Sequence, residues 1–294
     1  MRTRRIGAVE VSAIGLGAMP LSIEGRPGEA RAVATIHAAL DAGVTLIDTA
    51  DAYHRYAGEA GHNESLIARA LASYGPTDDV LVATKGGRGR PGDGSWTITG
   101  TPAHLTAACD ASLRRLGVDA IGLYQLHHPD PQVPYEDSVG ALAELYAAGK
   151  IRMAGISNVD TTQLATARRI LGDTLVSVQN EYSPAVRDSE PVLAACDTLG
   201  IAFLPWSPLG GISRSSLDGS SGRPADPRYA AYHEIARERG VSPQQVCLAW
   251  LLACSPVVIP IPGSSRPETI RDSAAAADLT LDPDELSRLD ASTG

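Results

Sequence analysis

The stretch VTLIDTADAY, residues 44–53, passes within ten positions from a short branched apolar run to an acid, Asp48, and then to an aromatic hydroxyl, Tyr53. Gly43 precedes it, and the run is too short and too branched for a helix, so it reads as a buried strand that ends at Asp48. An acid beside an apolar run is costly unless a cation or hydrogen-bond donors meet it there. The rest of the chain is therefore read for that partner.

Outward from this strand one pattern recurs: short apolar run, polar or glycine-containing loop, amphipathic helix, glycine. The strand-like runs fall at 13–17, 44–47, 80–83, 120–126, 151–156, 174–179, 201–204 and 257–261, eight in all. Between them lie helical stretches such as 29–42, with Val33, Ile36 and Leu40 on one face, and 102–116, with Leu105, Cys109, Leu113 and Leu116. Thr101-Pro102, Ser242-Pro243 and Asp282-Pro283 each place a cap before a first-turn proline. Gly43, Gly75, Gly117, Gly149, Gly172, Gly200 and Gly240 each stand where a left-handed residue would close a helix. Residues 3–11 read as a small hairpin turning at Gly7. Eight strand–helix alternations imply an α/β fold, a closed parallel (β/α)8 TIM barrel, with residues 1–294 as one domain and the hairpin closing its bottom. A doubly wound open sheet is the alternative. Its phosphate loop is only weakly matched by Gly15-Leu16-Gly17-Ala18-Met19-Pro20, which lacks the third glycine of GxGxxG. Two long loops, 86–100 and 207–227, follow strands, on the C-terminal face where barrel enzymes keep their sites.

Composition narrows the partners. A formal charge of −9 argues against nucleic acid and anionic membrane, both of which need basic patches. No apolar run approaches the length of a membrane span, and the N-terminal MRTRRIG lacks the apolar segment of a secretory signal, so a cytoplasmic location is expected. Four widely spaced cysteines without a CxxC read as buried reduced thiols.

The residues just past each strand carry the chemistry: Asp48 with Tyr53, Thr84-Lys85, His127-His128-Pro129, Ser157-Asn158, Gln179-Asn180, Pro205-Trp206-Ser207 and Pro262-Gly263-Ser264-Ser265. In a barrel these converge on one rim. A phenol, with an ordinary pKa of about 10, holds its proton too tightly to act alone at neutral pH. A neighbouring ammonium, Lys85, would favour the phenolate, and Asp48 would keep Lys85 charged and in place. His127 could donate a hydrogen bond to a substrate oxygen. Together they make a general acid aimed at a carbonyl oxygen gaining charge, which implies carbonyl reduction with hydride from a cofactor. No metal site is expected: His127 and His128 are adjacent, so their side chains diverge.

The chain resembles the aldo-keto reductase family over nearly all its length. The motifs are Ile14-Gly15-Leu16-Gly17, the stretch ending at Tyr53, Thr84-Lys85, residues 123–130 (LYQLHHPD), Gly155-Ile156-Ser157-Asn158, Trp206-Ser207-Pro208-Leu209 and Ile261-Pro262-Gly263-Ser264. The family's tetrad falls on Asp48, Tyr53, Lys85 and His127, the set already picked from the strand ends. The resemblance implies an NADPH- or NADH-dependent reduction of an aldehyde or ketone to an alcohol. It also implies that Ser157, Asn158 and Gln179 bind the nicotinamide carboxamide, that Trp206 stacks on the ring, and that Ser207 and Leu209 contact the pyrophosphate. Gly263, Ser264 and Arg266 would hold an adenosine 2′-phosphate, Arg266 by paired hydrogen bonds, which favours NADPH over NADH. Asp272 and Ser273 stand where the family often grips adenine with Glu and Asn. The partner is then a small carbonyl compound, with the oligomeric state left open.

Two other readings remain at this level. One is a cofactor-binding regulatory or sensor module with little turnover; the sequence ends soon after its last helix, so no docking tail is expected. The other keeps the barrel and makes Lys85 a Schiff-base lysine, which Asp48 opposes by keeping the amine protonated. Trp96 reads equally as pocket lining or loop packing, His54 and Arg55 as substrate-facing or solvated, Tyr124 as core, and Arg214 as a pyrophosphate contact or a solvated charge.

Overall fold

The computed structural model describes residues 1–210 and 229–293. Most of the second long loop, with Arg214, lies outside them. The barrel is built from a parallel sheet of β3 (Leu16–Gly17), β4 (Leu46–Asp48), β5 (Leu81–Gly86), β8 (Leu123–Leu126), β9 (Ala154–Ser157), β10 (Leu175–Gln179) and β11 (Ala202–Phe203), paired in that order. Each strand matches one of the expected runs. Among the described residues the α-helices are α1 (Glu29–Asp41), α2 (His62–Tyr74), α3 (Pro102–Leu116), α4 (Tyr135–Ala147), α5 (Thr161–Leu171), α6 (Glu190–Leu199), α7 (Ala230–Arg239), α8 (Pro243–Cys254), α9 (Pro267–Ala275) and α10 (Pro283–Thr293).

The eighth run closes the barrel without forming a ladder strand. Ile259 donates its N–H to the Phe203 carbonyl at 2.8 Å and Ile261 to that of Pro205 at 3.3 Å, while the carbonyls of Pro260 and Pro262 accept from Gly15 at 2.9 Å and Gly17 at 3.0 Å. The two prolines fall on the side facing β3, and proline has no N–H. The prolines therefore return no bond to β3, and an isolated bridge, Gly17 to Gly263, marks the seam.

The hairpin of β1 (Thr3–Ile6) and β2 (Val9–Ser12) turns at Gly7, whose φ is 56°. It drives Ile6 and Val11 into the barrel, where they join Leu46, Leu123, Leu204 and Ile259 in one apolar cluster. A second, larger cluster lies between sheet and helices, and there Trp250 stacks on Tyr182 at 6.2 Å. The cap signals hold: Thr101 accepts from His104 N–H at 3.4 Å, Ser242 from Gln245 at 3.1 Å and Asp282 from Glu285 at 2.9 Å. All seven helix-closing glycines have positive φ; Gly117, Gly200 and Gly240 are left-handed caps as expected, whereas Gly75 and Gly172 pair positive φ with ψ of −150° and −135° and are not.

Two details differ from expectation. Loop 86–100 contains a hairpin of β6 (Arg88–Gly89) and β7 (Thr97–Ile98), whose two-residue strands are too short to show alternation. Cys109, Cys196 and Cys247 are buried, but Cys254 is exposed in the last turn of α8. No helix among the described residues is long and apolar enough to cross a membrane.

The closing seam makes Gly17 sensitive. A Cβ there would stand 2.6 Å from the Ile261 carbonyl oxygen and 3.3 Å from that of Pro262, both backbone atoms that cannot swing aside. Gly17→Ala is expected to destabilise the fold by roughly 1–3 kcal/mol. Thermal melting checks this, and an unchanged midpoint would show that the seam yields without cost.

Candidate active site

Adjacent strands deliver the central charges. β4 ends in Asp48, and β5 beside it carries Lys85, with Asp48 opposite Ala83 in register. Lys85 is fully enclosed. Its Nζ donates to Asp48 Oδ1 at 2.5 Å, to the Thr49 carbonyl at 2.9 Å and to the Tyr53 hydroxyl oxygen at 3.1 Å. Burial alone would lower the ammonium's pKa; Asp48 and the Tyr53 oxygen outweigh it and raise the group above 10.5. Three oxygen acceptors around an enclosed Nζ that does not line the cleft favour an ammonium over a free amine and oppose the Schiff-base reading. The far oxygen of Asp48 accepts from Gln179 Nε2 at 2.9 Å and from Gln125 Nε2 at 3.5 Å.

Tyr53 is buried, with its pKa raised above 10. Burial is the largest cause; the Lys85 charge pulls the other way, and Asp48 adds to the rise. The expectation that Lys85 would bring the phenol below its ordinary value therefore fails as a net direction. The ammonium offsets desolvation only in part, and the phenol keeps its proton at neutral pH.

His127, at the end of β8, sets its ring 5.7 Å from that of Tyr53 at 82°. Its pKa falls well below 6.5 through burial first, then through the charges of Lys85 and Arg88, so the ring is neutral. Its Nδ1 is buried without a hydrogen-bond partner among the described residues. His128 turns away and contacts the Pro129 carbonyl at 2.8 Å.

These groups form the floor of a cleft of about 680 Å³. Every residue expected in catalysis or cofactor contact lines it except Lys85, which lies beneath, and Ser273, which is buried in α9. Ser157 Oγ donates to the Gln179 carbonyl at 2.6 Å, and Asn158 Nδ2 to the His127 carbonyl at 2.9 Å. Trp206 Nε1 donates to Asn158 Oδ1 at 3.2 Å, fixing the indole at the wall. Asn158 and Ser207 adopt left-handed φ values of 59° and 48°, uncommon for residues with a Cβ, and both face the cleft. At the far end, Ser264, Arg266 and Glu268 surround the N-terminus of α9. Asp272 lines the same end, but its carboxylate is held by Ser242 at 2.6 Å and Gln245 at 2.6 Å.

Trp96 does both of the things open to it. It lines the cleft edge-on to Tyr53 and His127, each at 6.4 Å, and it packs the β6–β7 hairpin beneath Arg88 and Arg90. His54 is buried: its Nδ1 meets the Tyr56 carbonyl at 2.8 Å and its own carbonyl accepts from Arg90 at 2.8 Å. Arg55 stacks on Tyr56, and Tyr124 is core. Sequence reading missed Gln125, Arg88 and Arg90. Gln125 carried a signal, a polar residue inside the run LYQL; the arginines lay in a glycine-rich loop whose path has none.

With this geometry in view, comparison with known proteins is specific. The profile described as the aldo/keto reductase family matches residues 13–293. Pyridoxine 4-dehydrogenase of Escherichia coli is 35% identical over 98% of this chain and 97% of its own length. Among solved structures, glycerol dehydrogenase from Gluconobacter oxydans superposes with a TM-score of 0.83 at 29% identity, covering 99% of this chain and 94% of that one. An aldo-keto reductase from Klebsiella pneumoniae in complex with NADPH gives a TM-score of 0.78 at 30% identity, with coverage of 99% and 94%. The chain belongs to the aldo/keto reductase family. That makes it an NAD(P)H-dependent oxidoreductase built on the family's barrel.

Behind the floor, Asp51 carries a buried carboxyl whose Oδ1 has no hydrogen-bond partner among the described residues. Burial, and then neighbouring Glu64, push it up from 3.8 to about 8, against the pull of Arg115. Glu64 is already saturated by Thr84 at 2.6 Å and Arg115 at 2.6 Å. Between about pH 4 and 8 the folded chain holds a proton on Asp51 that the unfolded chain releases. Its contribution to stability therefore falls as pH rises through that window. Asp51→Asn, which cannot ionise, is expected to melt near wild type at pH 4.5 and above it at pH 8.5. Parallel melting curves across that range would count against a protonated Asp51.

Proposed function

We propose that this chain reduces an aldehyde or ketone to the alcohol, reversibly, with NADPH bound along the cleft and Tyr53 as the proton donor. The observation that carries the reading is the Lys85 ammonium bonded at once to Asp48, to Thr49 and to the Tyr53 oxygen.

The residues fit an extended dinucleotide. The cleft runs from His127 and Tyr53, past Trp206 and Ser207, to Arg266 at the start of α9. Arg266 is exposed and has no ion pair among the described residues, and a helix N-terminus favours an anion. Gly263 and Gly17 keep the cleft wall bare of side chains, where a Cβ on Gly263 would already stand 2.9 Å from Pro20. Ser157, Asn158 and Gln179 would orient the nicotinamide, Trp206 would cover it, Ser207 and Leu209 would take the pyrophosphate, and Gly263, Ser264 and Arg266 the 2′-phosphate. Asp272, held by Ser242 and Gln245, would shape the adenine end through α8 and α9. The cofactor would supply the hydride; the chain supplies everything else.

Neutral His127 would donate a hydrogen bond to the substrate oxygen and hold the carbonyl against Tyr53. As charge develops on that oxygen, Tyr53 would give up its proton, and the phenolate left behind would be stabilised by Lys85 at hydrogen-bond distance. Asp48, fixed by Gln125 and Gln179, would keep that ammonium charged throughout. The phenol is protonated at pH 7 and so has a proton to give; the neighbouring Lys85 charge offsets part of the rise that burial causes and eases its release.

Two results are expected. Tyr53→Phe should lose reduction of a reactive aldehyde by roughly 100-fold or more while NADPH still binds, measured by turnover and by nicotinamide fluorescence. In wild type, alcohol oxidation should climb with pH beyond 10, since it needs the phenolate, while aldehyde reduction stays level from pH 6 to 9. Full activity in the Phe variant removes Tyr53 as the acid. Separately, Arg266→Met should weaken NADPH by about tenfold and leave NADH unchanged. Equal losses for the two cofactors would take Arg266 off the 2′-phosphate.

A further inference from the structure

Two arginines lie over the Trp96 indole, Arg88 at 4.8 Å and Arg90 at 4.7 Å, and their circumstances differ. Arg90 is buried and employed: it donates to the His54 carbonyl at 2.8 Å and to Glu24 at 2.6 Å. Arg88 lines the cleft, and among the described residues it has no hydrogen bond and no ion pair; its Nε is buried without a partner. Of the five donors of its guanidinium, Nε is the one buried without a partner, and a buried donor left unmet is costly.

Arg88 is also well placed and well held. The β6–β7 hairpin pairs it with Ile98, Thr99 N–H bonds the Gly87 carbonyl at 3.0 Å, and the indole fixes the head by cation–π contact. That same indole is 6.4 Å from both Tyr53 and His127. The Arg88 charge reaches both: it favours the Tyr53 phenolate and disfavours protonation of His127. Arg266, by contrast, lies toward the α9 end of the cleft. A cofactor extended from Tyr53 to Arg266 leaves Arg88 and Trp96 on the substrate side.

We propose that Arg88 determines substrate class by gripping an anionic group, a carboxylate or a phosphate, on the carbonyl compound reduced at Tyr53. The planar fork matches two oxygens of either anion, and the apolar indole beneath it excludes water from the contact. The chain length between the anion and the carbonyl is then set by the span from Arg88 to the Tyr53 and His127 pair. This rests on the carbonyl-reductase reading above and adds to it the charge of the substrate.

The test compares anionic with neutral carbonyl compounds, with NADPH: 4-oxobutanoate against the near-isosteric pentanal, and glyceraldehyde 3-phosphate against glyceraldehyde, which lacks only the phosphate. Wild type should favour the anionic member of at least one pair by about tenfold or more in kcat/KM, mostly through KM, and the preference should shrink as ionic strength rises. The pair that shows it tells carboxylate from phosphate. Arg88→Met should bring that ratio near one, and Arg88→Lys should keep part of it. A role confined to propping Trp96 would move both members of a pair alike. Uncharged aldehydes reduced as well as or better than both anions, or a ratio unchanged in Arg88→Met, overturns the proposal and leaves the carbonyl-reductase reading standing. Failure of wild type to reduce any of the four, with NADPH or NADH, overturns both.

Discussion

A single enclosed ammonium governs this structure. Lys85 has no access to solvent, and an unpaired charge there would be untenable. It persists because three oxygens from the β4 end and its loop converge on it: a carboxylate, a carbonyl and a phenol. Each belongs to the stretch 48–53, so one decapeptide both forms the wall of the barrel and neutralises the lysine of the next strand. The glutamines of β8 and β10 hold the carboxylate from across the barrel, which ties the polar set to the sheet's curvature. If the barrel opened, Asp48 would lose Gln179 and the ammonium its orientation.

That dependence passes to the seam. Two prolines at the join between the last run and β3 accept from Gly15 and Gly17 but have no N–H to return, and the backbones approach closely at Gly17. The same segment continues directly into Gly263, Ser264 and α9, the far end of the cleft. Closing the barrel and shaping the α9 end of the cleft are thus consequences of one irregular segment.

Much of this could be read from the residues. Apolar runs separated by capped, glycine-closed helices fixed the order of strands, because those signals are local. The residue after each run was informative for the same reason: a polar group at a strand's end has few places to go but the rim. Tertiary facts were not available. The hairpin in 86–100 is too short to leave a periodic trace, so the convergence of Arg88 and Arg90 on Trp96 at the edge of the cleft could not be seen. Gln125 was visible as an oddity within its strand, yet its partner Asp48 is 77 positions away. The balance at Tyr53 also depended on burial. Charge alone argued for a lowered pKa; desolvation outweighs the ammonium and reverses the direction.

That balance is open to direct measurement. Ring-labelled tyrosine followed by carbon NMR against pH, with Tyr53 assigned by difference, reports the phenol's ionisation in wild type and in Lys85→Met. Tyr53 should titrate above 10 in wild type and higher still in the variant, where burial and Asp48 act without the opposing charge. A Tyr53 pKa that stays put or falls when the ammonium is removed would contradict the account at its root.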